Sequence, residues 1–196
     1  MDVDLRRMTE EVARYPKAWT SFREKVKAEF DRSAEMYDGR LGPDHLAPLA
    51  AALDRVEAPR TALDIGCGTG VAADFIAEMF PSTLVCALDI SERMIRVGLA
   101  KERTRRLRFL VADASLLPFG DSTFDLVCLV AVPIFATELA RVLTDGGRAI
   151  ATFPLGKETP IFLPASELER AFRRAGVVDI EHGTSGRGTW TLAARG

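Results

Sequence analysis

The sequence predicts an α/β fold: a doubly wound, mostly parallel sheet of about seven strands, with helices on both faces and an N-terminal helical extension. Three observations lead to this prediction. From residue 61 onward, short and nearly continuous apolar segments alternate with helical ones, which is typical of strands buried on both faces. The first apolar segment runs through a glycine-rich turn directly into a helix. Residues 1–57 instead have helical periodicity and no strand pattern.

Residues 1–57 are predicted to form a helical cap segment, and residues 58–196 the core domain. Glycines and a proline within 38–43 end the first long helix, and a second helix is predicted over 44–56, where Pro59 ends it. The first helix is predicted from an apolar stripe at helical spacing, formed by Tyr15, Trp19, Phe22, Val26, Phe30 and Tyr37.

The core is predicted to alternate strands and helices. Ser91 and Ser166 are the predicted N-caps of two helices, and Pro133 is predicted to begin a third. Because no helical pattern separates the last two strands, the final strand is predicted to enter antiparallel. The predicted strands cover 61–65, 83–90, 107–113, 124–130, 148–153, 177–181 and 189–194. The predicted helices between them cover 71–79, 91–103, 133–143 and 166–175.

Composition excludes several classes of protein. A formal net charge of −2 does not favour binding to nucleic acid, and the five basic residues within 101–108 are interpreted as a solvated helix end rather than an RNA-binding surface. The longest uncharged run has 12 residues, too short to span a bilayer, and the charged start lacks the apolar core of a signal peptide. Three cysteines without a CxxC pair suggest free thiols in the cytoplasm, and no metal site is predicted.

Unusual residues are concentrated where predicted strands end. Asp64 to Gly70, with the sequence DIGCGTG, follow the first strand, and Asp89 follows the second, 23 residues after Gly66. Asp113 and Ala114 follow the third. In open α/β sheets, ligands bind beyond the carboxyl ends of the strands, so these residues predict a ligand site at that edge. A tight turn without any ligand is the alternative for the glycines alone, but three acidic strand ends disfavour it.

The spacing of the glycines distinguishes between nucleotide ligands. A pyrophosphate-binding GxGxxG turn would require glycine at position 71, which is Val71, whereas glycines stand at 66, 68 and 70. The pattern therefore suits an adenosine ligand without phosphates, held by backbone at one end and by carboxylates at the other. A nicotinamide oxidoreductase is disfavoured for the same reason.

Taken together, these segments resemble the class I S-adenosylmethionine-dependent methyltransferases. The resemblance covers residues 61–194 through LDIGCGTG, ALDIS, VADA, FDLV and LTDGGRAI in the family's order and spacing. The FDRSAEMYD segment at 30–38 also resembles the part that precedes the core in many small-molecule methyltransferases of this family. The resemblance implies S-adenosyl-L-methionine as the cofactor.

The resemblance assigns the methionine part of the cofactor to the loop after the first strand. Asp64 would reach the ammonium group, often through water, and Val130 would offer backbone groups at the end of the fourth strand. Tyr37 would reach the cofactor carboxylate. The loop beneath the methionine part would consist of Gly66, Cys67, Gly68 and Gly70.

The adenosine part is assigned to the ends of the next two strands. Asp89 would accept hydrogen bonds from both ribose hydroxyls, and Ile90 would lie against the adenine. Asp113 would accept from the adenine amino group, while the Ala114 N–H would donate to a ring nitrogen.

These assignments predict methyl transfer to a small-molecule acceptor by direct displacement. Such a displacement requires alignment of acceptor, methyl and sulfur, and a base only if the acceptor must lose a proton. No catalytic residue is assigned, because His45 and His182 are interpreted as surface or capping histidines and Tyr37 as a packing residue. The acceptor pocket is predicted to be built mainly from residues 1–57, or from the second chain of a homodimer.

Two alternatives stay open. One is a non-catalytic module that binds S-adenosylmethionine or S-adenosylhomocysteine, such as a regulatory partner of an active enzyme. The other is a different enzyme on the same sheet, for which an aminopropyl transferase is the remaining example.

Overall fold

A computed structural model describes residues 4–101 and 106–196. In these two ranges, none of the helices is long and apolar enough to cross a membrane. The strands are β1 (Thr61–Ile65), β2 (Leu84–Asp89), β3 (Leu107–Val111), β4 (Phe124–Val130), β5 (Leu143–Phe153), β6 (Val177–Ser185) and β7 (Gly188–Arg195). The α-helices are α1 (Leu5–Arg14), α2 (Trp19–Ser33), α3 (Ala47–Leu53), α4 (Val71–Met79), α5 (Glu92–Leu99), α6 (Ala136–Val142) and α7 (Ala165–Arg174).

The seven strands form a single sheet in the order β3-β2-β1-β4-β5-β7-β6. Strands β1 to β5 pair in parallel, while β7 is antiparallel to both of its neighbours, β5 and β6. The predicted mostly parallel sheet and the antiparallel final strand are therefore confirmed. The chain runs outward from β1 on one side and outward from β4 on the other. The order thus reverses between β1 and β4, which is where open α/β sheets bind ligands.

The sheet is buried on both faces, as its apolar strands predict. Leu63 and Val127 pack on one face with α6 and α7, and their neighbours Ala62 and Leu126 pack on the other with α3 and α4. A third cluster joins α1 and α2 to Phe135 and to other parts of the core. Its buried members are Leu5, Met8, Val12, Trp19, Val26, Phe135 and Ile161.

The N-terminal segment departs from the predicted single stripe. Helix α1 ends at Arg14 and α2 starts at Trp19, since Pro16 lacks the N–H that a continuing helix needs and restricts the residue before it. Tyr15 consequently lies outside the stripe, with 69% of its surface exposed. Tyr37 lies between two short 3₁₀ turns beyond α2, and the predicted second helix is limited to α3.

Other differences concern the ends of elements. Ser91 caps α5 as predicted, but this helix ends at Leu99, and the predicted end at Arg103 lies outside the described residues. The helix predicted from Pro133 begins instead at Ala136. Pro164 occupies the N-cap position of α7, so Ser166 lies inside the helix rather than at its cap. Strand β5 begins at Leu143, five residues earlier than predicted, because the Asp145–Gly147 segment is part of the strand.

Replacing Ser91 by alanine is expected to lower the free energy of unfolding by about 1–2 kcal/mol. The Ser91 hydroxyl accepts from the Met94 N–H at 3.1 Å and donates to Asp31 of α2 at 2.6 Å, so one atom caps α5 and joins it to α2. Urea unfolding measures the loss. Ser166→Ala, an exposed change within α7, is the control and should stay within about 0.5 kcal/mol of the parent. Equal losses of unfolding free energy in both variants would contradict the role of Ser91 in capping α5 and joining it to α2.

Candidate functional site

The loop after β1 adopts a backbone that only glycine takes up easily. Gly66, Gly68 and Gly70 have φ angles of +67°, +54° and +87°. A Cβ atom on Gly66 would lie 2.5 Å from Val132 Cγ2, which is closer than atoms can approach. The Cys67 N–H donates to the Leu88 carbonyl at 2.9 Å and holds the loop against β2. Gly70 is the N-cap of α4, so the sequence DIGCGTG forms a tight turn between β1 and this helix.

A cavity of about 610 Å³, open to solvent, lies over this loop at the carboxyl ends of β1, β2 and β4. We call it the first cavity. Seven of the predicted site residues line it: Tyr37, Gly66, Gly68, Asp89, Ile90, Ala114 and Val130. The other four, Asp64, Cys67, Gly70 and Asp113, are not among its lining residues. The structure thus brings most of the predicted residues to a single concave surface.

Asp89 ends β2 on the wall of the first cavity. Its Oδ2 accepts from the Gly68 N–H at 2.9 Å and its Oδ1 from the Ser91 N–H at 2.8 Å. Burial raises the pKa of this carboxyl group, and the two backbone hydrogen bonds oppose the rise. A carboxylate oxygen can accept two hydrogen bonds, so Asp89 retains acceptor capacity toward the cavity.

Asp64 lies beneath the loop as a buried carboxyl group without a hydrogen-bond partner. It is 1% exposed, and neither oxygen makes a hydrogen bond of normal geometry. Burial, with the nearby charge of Asp89, raises its pKa to about 8, and only the Ala73 N–H opposes this rise. A buried carboxylate without a partner is unfavourable. A cationic group in the adjoining cavity would relieve this cost.

Tyr37 forms the opposite wall. Burial, followed by the charges of Asp89 and Asp38, raises the pKa of its phenol to about 12, so the hydroxyl is protonated at neutral pH. Its ring meets Phe30 edge to face, with centroids 6.2 Å apart. A protonated phenol can donate to a carboxylate ligand, which fits the role that the resemblance implies.

The carboxylate of Asp113 is already engaged. The Trp19 indole N–H donates to its two oxygens at 2.9 and 3.0 Å, and the Ser115 N–H donates to Oδ1 at 2.8 Å. Trp19 itself lines the first cavity beside Ala114. A residue of the N-terminal segment is therefore hydrogen-bonded to the carboxylate that was predicted to accept from the adenine amino group.

Residues 15–45 of the N-terminal segment, which we call the cap, are hydrogen-bonded to the segments that follow β1, β2 and β3. Trp19 reaches the end of β3 through Asp113, and Asp31 accepts from Ser91 after β2. Asp38 accepts from Thr69 in the glycine loop and from Lys101. The cap is thus joined to the sheet by polar contacts as well as by the third apolar cluster.

Several lining residues were not predicted. Trp19, Val26 and Phe30 belong to the predicted helical stripe, but the sequence does not show what that stripe faces. The others are Leu88, Ala112, Ala131, Val132, Pro133, Phe135 and Ile161. Ala131, immediately after β4, has a φ of +54°, which is uncommon for a residue with a side chain. No sequence signal marks such a position.

A second cavity of about 1250 Å³, also open to solvent, adjoins the first. Phe30, Tyr37, Ala131 and Ile161 line both cavities. More than half of the residues that line the second cavity precede residue 57. The rest of its lining consists of Leu5, Glu29, Ser33, Arg40, Leu41, Gly42, Pro43, Asp44, His45, Pro154, Leu155, Thr159, Pro160 and Arg187.

The two histidines have different surroundings. His45 lines the second cavity, whereas His182 lies on β6, with Nδ1 2.8 Å from Thr191 Oγ1 and Nε2 3.6 Å from Glu169. Within the part of the chain that the structure describes, no three His, Cys, Asp or Glu side chains are grouped so that they could hold a metal ion.

Comparison with known proteins agrees with this geometry. A family model described as a methyltransferase domain matches residues 62–147, the segment from β1 into β5. The chain is 32% identical over 136 residues to a malonyl-[acyl-carrier protein] O-methyltransferase of Hahella chejuensis, covering 65% of this chain and 49% of that protein. It is 36% identical over 117 residues to a demethylmenaquinone methyltransferase of Lactococcus lactis, covering 54% and 46%. The chain thus spans about half the length of these curated relatives.

Solved structures share the whole fold. The 1,6-didemethyltoxoflavin-N1-methyltransferase of Burkholderia thailandensis, solved with its substrate and S-adenosylhomocysteine, superposes with a TM-score of 0.70. It is 19% identical and the match covers 90% of this chain and 89% of that one, which shows the fold alone. The family model and the relatives thus support a methyltransferase domain of the class I S-adenosylmethionine-dependent family in this chain, on a fold that the solved structure shares.

Proposed function

We propose that this protein transfers a methyl group from S-adenosyl-L-methionine to a small-molecule acceptor by direct displacement, with the cofactor in the first cavity. The observation that carries the proposal is the unpartnered carboxyl group of Asp64 beneath the glycine loop. The cofactor carries an ammonium group, the kind of cation that such a carboxylate needs. Relatives named malonyl-[acyl-carrier protein] O-methyltransferase and demethylmenaquinone methyltransferase support transfer of a methyl group.

The residues around the first cavity fit this cofactor. Gly66 and Gly68 line the cavity with backbone that no side chain covers, and Asp89 has acceptor capacity for the ribose hydroxyls. Ile90 and Ala114 supply an apolar surface for a flat base, and the protonated Tyr37 can donate to the cofactor carboxylate. Bound there, S-adenosylmethionine supplies an activated methyl group. Asp113, to which the resemblance assigns the adenine amino group, lies outside the lining and accepts from Trp19.

The acceptor belongs in the second cavity. Its wall continues that of the first through Phe30, Tyr37, Ala131 and Ile161, and its lining is mainly apolar. A chamber next to the cofactor site would be superfluous in a module that only binds the cofactor, so this observation favours an enzyme over the non-catalytic alternative. We propose accordingly that residues 1–57, which include the cap, cover a catalytic core of residues 58–196.

The remaining proposals concern partners and location. The slight negative charge favours a small-molecule substrate over nucleic acid, and the free cysteines suit the cytoplasm. Because the cap completes the cavities within one chain, no second chain is needed to form them. A homodimer would therefore serve another purpose than completing the site.

Calorimetric titration of S-adenosylmethionine, S-adenosylhomocysteine and NAD into the protein tests the proposal. We expect the first two to bind and NAD not to bind. Asp89→Asn should weaken their binding about 10- to 100-fold, the range for hydrogen bonds to a charged acceptor. Asp179→Asn, an exposed carboxylate on β6, is the matched control and should leave binding unchanged. Absence of binding by both sulfur ligands would refute the proposed function.

A further inference from the structure

The second cavity contains one neutral base among charged residues. Glu29 is paired with Arg32, and Arg187 with Glu158 at 2.5 Å. Asp44 is exposed, and the Arg40 guanidinium has no ion pair with any residue that the structure describes. Of the four charged residues in this lining, two are acidic and two are basic, so their formal charges cancel. They are Glu29, Asp44, Arg40 and Arg187. The remaining titratable residue of the lining, apart from Tyr37, is His45.

His45 stands in a turn that points the chain from the cap into α3. Its backbone N–H donates to the Gly42 carbonyl at 3.0 Å, and Pro43 and Asp44 complete the turn. Its ring is half-buried and makes no hydrogen bond with the described residues. Burial lowers the pKa of the imidazole, which is therefore neutral at pH 7 and has a free nitrogen lone pair.

Other titratable groups in the first cavity or beneath the glycine loop are poorer proton acceptors. Tyr37 is already protonated as a phenol, and Asp89 accepts two backbone hydrogen bonds. Asp64 lies under the glycine loop and is not a lining residue of either cavity. His45 is therefore the uncharged side chain in the lining of the second cavity that can accept a proton released there.

We propose that His45 is the proton acceptor of the transfer and that the acceptor is an apolar molecule whose hydroxyl is protonated in solution. This inference rests on the proposed function. As the hydroxyl oxygen attacks the methyl carbon, the carbon–sulfur bond breaks and its electron pair passes to sulfur, leaving S-adenosylhomocysteine. The hydroxyl proton passes to the His45 ring, which later releases it to solvent. The apolar lining of the second cavity accommodates the rest of the molecule.

The first test observes the ring itself, because the chain has two histidines. With isotope-labelled histidine, the imidazole signals of the full chain are titrated by NMR in the presence of S-adenosylhomocysteine, and His182→Gln assigns them. 2-Naphthol is the probe, since it joins an apolar body to a hydroxyl group. We expect the signal of His45 to shift on addition of 2-naphthol and that of His182 to stay.

The second test measures methylation of 2-naphthol by chromatography of the methyl ether. His45→Gln should lower kcat at pH 7 by about 100-fold or more, the usual contribution of a general base, while leaving the affinity for S-adenosylmethionine within twofold. The wild-type rate should fall as pH drops through the lowered pKa of His45. This decrease is the acidic limb of the pH profile, and His45→Gln should not show it. Above pH 10, where the probe ionises by itself, the two rates should converge. His182→Gln is the control, with an unchanged rate.

The outcomes separate this inference from the proposed function. Failure to bind S-adenosylmethionine would defeat the proposed function first. Given cofactor binding, an unshifted His45 signal together with no methyl ether would overturn the inference. It would also be overturned if His45→Gln retained the full rate, or if Asp44→Asn rather than His45→Gln removed the acidic limb.

Discussion

Replacing Gly66 by alanine is expected to weaken S-adenosylmethionine binding by at least about 100-fold, equivalent to roughly 3 kcal/mol. Gly66 has a φ of +67°, and its Cβ would stand 2.5 and 2.8 Å from the two Cγ atoms of Val132. Val132 lines the first cavity, so the loop and this side chain would both have to shift into the space proposed for the cofactor. Calorimetric titration measures the loss.

Gly146→Ala is the matched control for this prediction. Gly146 has a similar φ of +72°, but a Cβ there would have no atom within 4 Å. Both variants should lose about 1 kcal/mol of unfolding free energy from backbone strain, and only Gly66→Ala should lose further stability and cofactor affinity. If the two variants bound S-adenosylmethionine equally well, the close approach at Gly66 would have no bearing on the ligand.

Asp64→Asn is expected to stabilise the ligand-free protein above pH 4 and to weaken cofactor binding. The pKa of Asp64 is about 8 in the folded protein, against an ordinary value of 3.8. Between these values the folded state holds the proton and the unfolded state does not. The free energy of unfolding therefore falls as pH rises from 4 to 8, by about 5 kcal/mol at the upper limit. Asparagine cannot ionise, so the variant should have a much shallower slope.

Urea unfolding between pH 4 and pH 8 measures this slope. Some dependence should remain in the variant, because burial also raises the pKa of Asp89. Asp179→Asn, an exposed change, should keep the wild-type slope. The same substitution at Asp64 should weaken S-adenosylmethionine about 100-fold, since the ammonium group would lose its charged partner. If the free energy of unfolding depended on pH in the same way in Asp64→Asn and in the wild type, Asp64 would not be the buried group that causes this dependence.

Binding should also release protons. When the cofactor ammonium stabilises ionised Asp64, the pKa of the carboxyl group falls, and at pH 7 up to about one proton per chain leaves. Titrations in two buffers with different ionisation enthalpies would give different heats for the wild type and nearly equal heats for Asp64→Asn.

Much of the fold could be predicted because strand burial on both faces leaves a simple pattern. The bounds of β1, α4 and β4 agree with those predicted, since each is an uninterrupted apolar segment between clear turn residues. The bounds of elements with competing local signals were harder to predict. Pro133 suggested a helix start, but α6 begins three residues later, and Ser166 offered a cap that Pro164 occupies instead.

The site was predictable where backbone geometry and residue type coincide. The left-handed glycines and Asp89 lie at the edge of the sheet that the motif predicts. The contacts of the cap could not be predicted, because they join residues distant in the sequence. Trp19 and Asp113 are separated by 94 positions, and neither residue alone indicates the other. His45 was interpreted as a surface or capping residue for the same reason: the cavity that it lines exists only once the cap is folded onto the sheet.

The hydrogen bonds between the cap and the sheet connect cofactor retention to local unfolding. Trp19, Asp31 and Asp38 each bind a loop that borders the first cavity. A ligand enclosed by those loops has greater affinity for the state in which the cap is closed, so its binding free energy includes the free energy of closing. Reciprocally, the occupied cavity must suppress the opening fluctuations of α2. Affinity for the cofactor and hydrogen-exchange protection of the cap thus both depend on the equilibrium between the closed and the open cap.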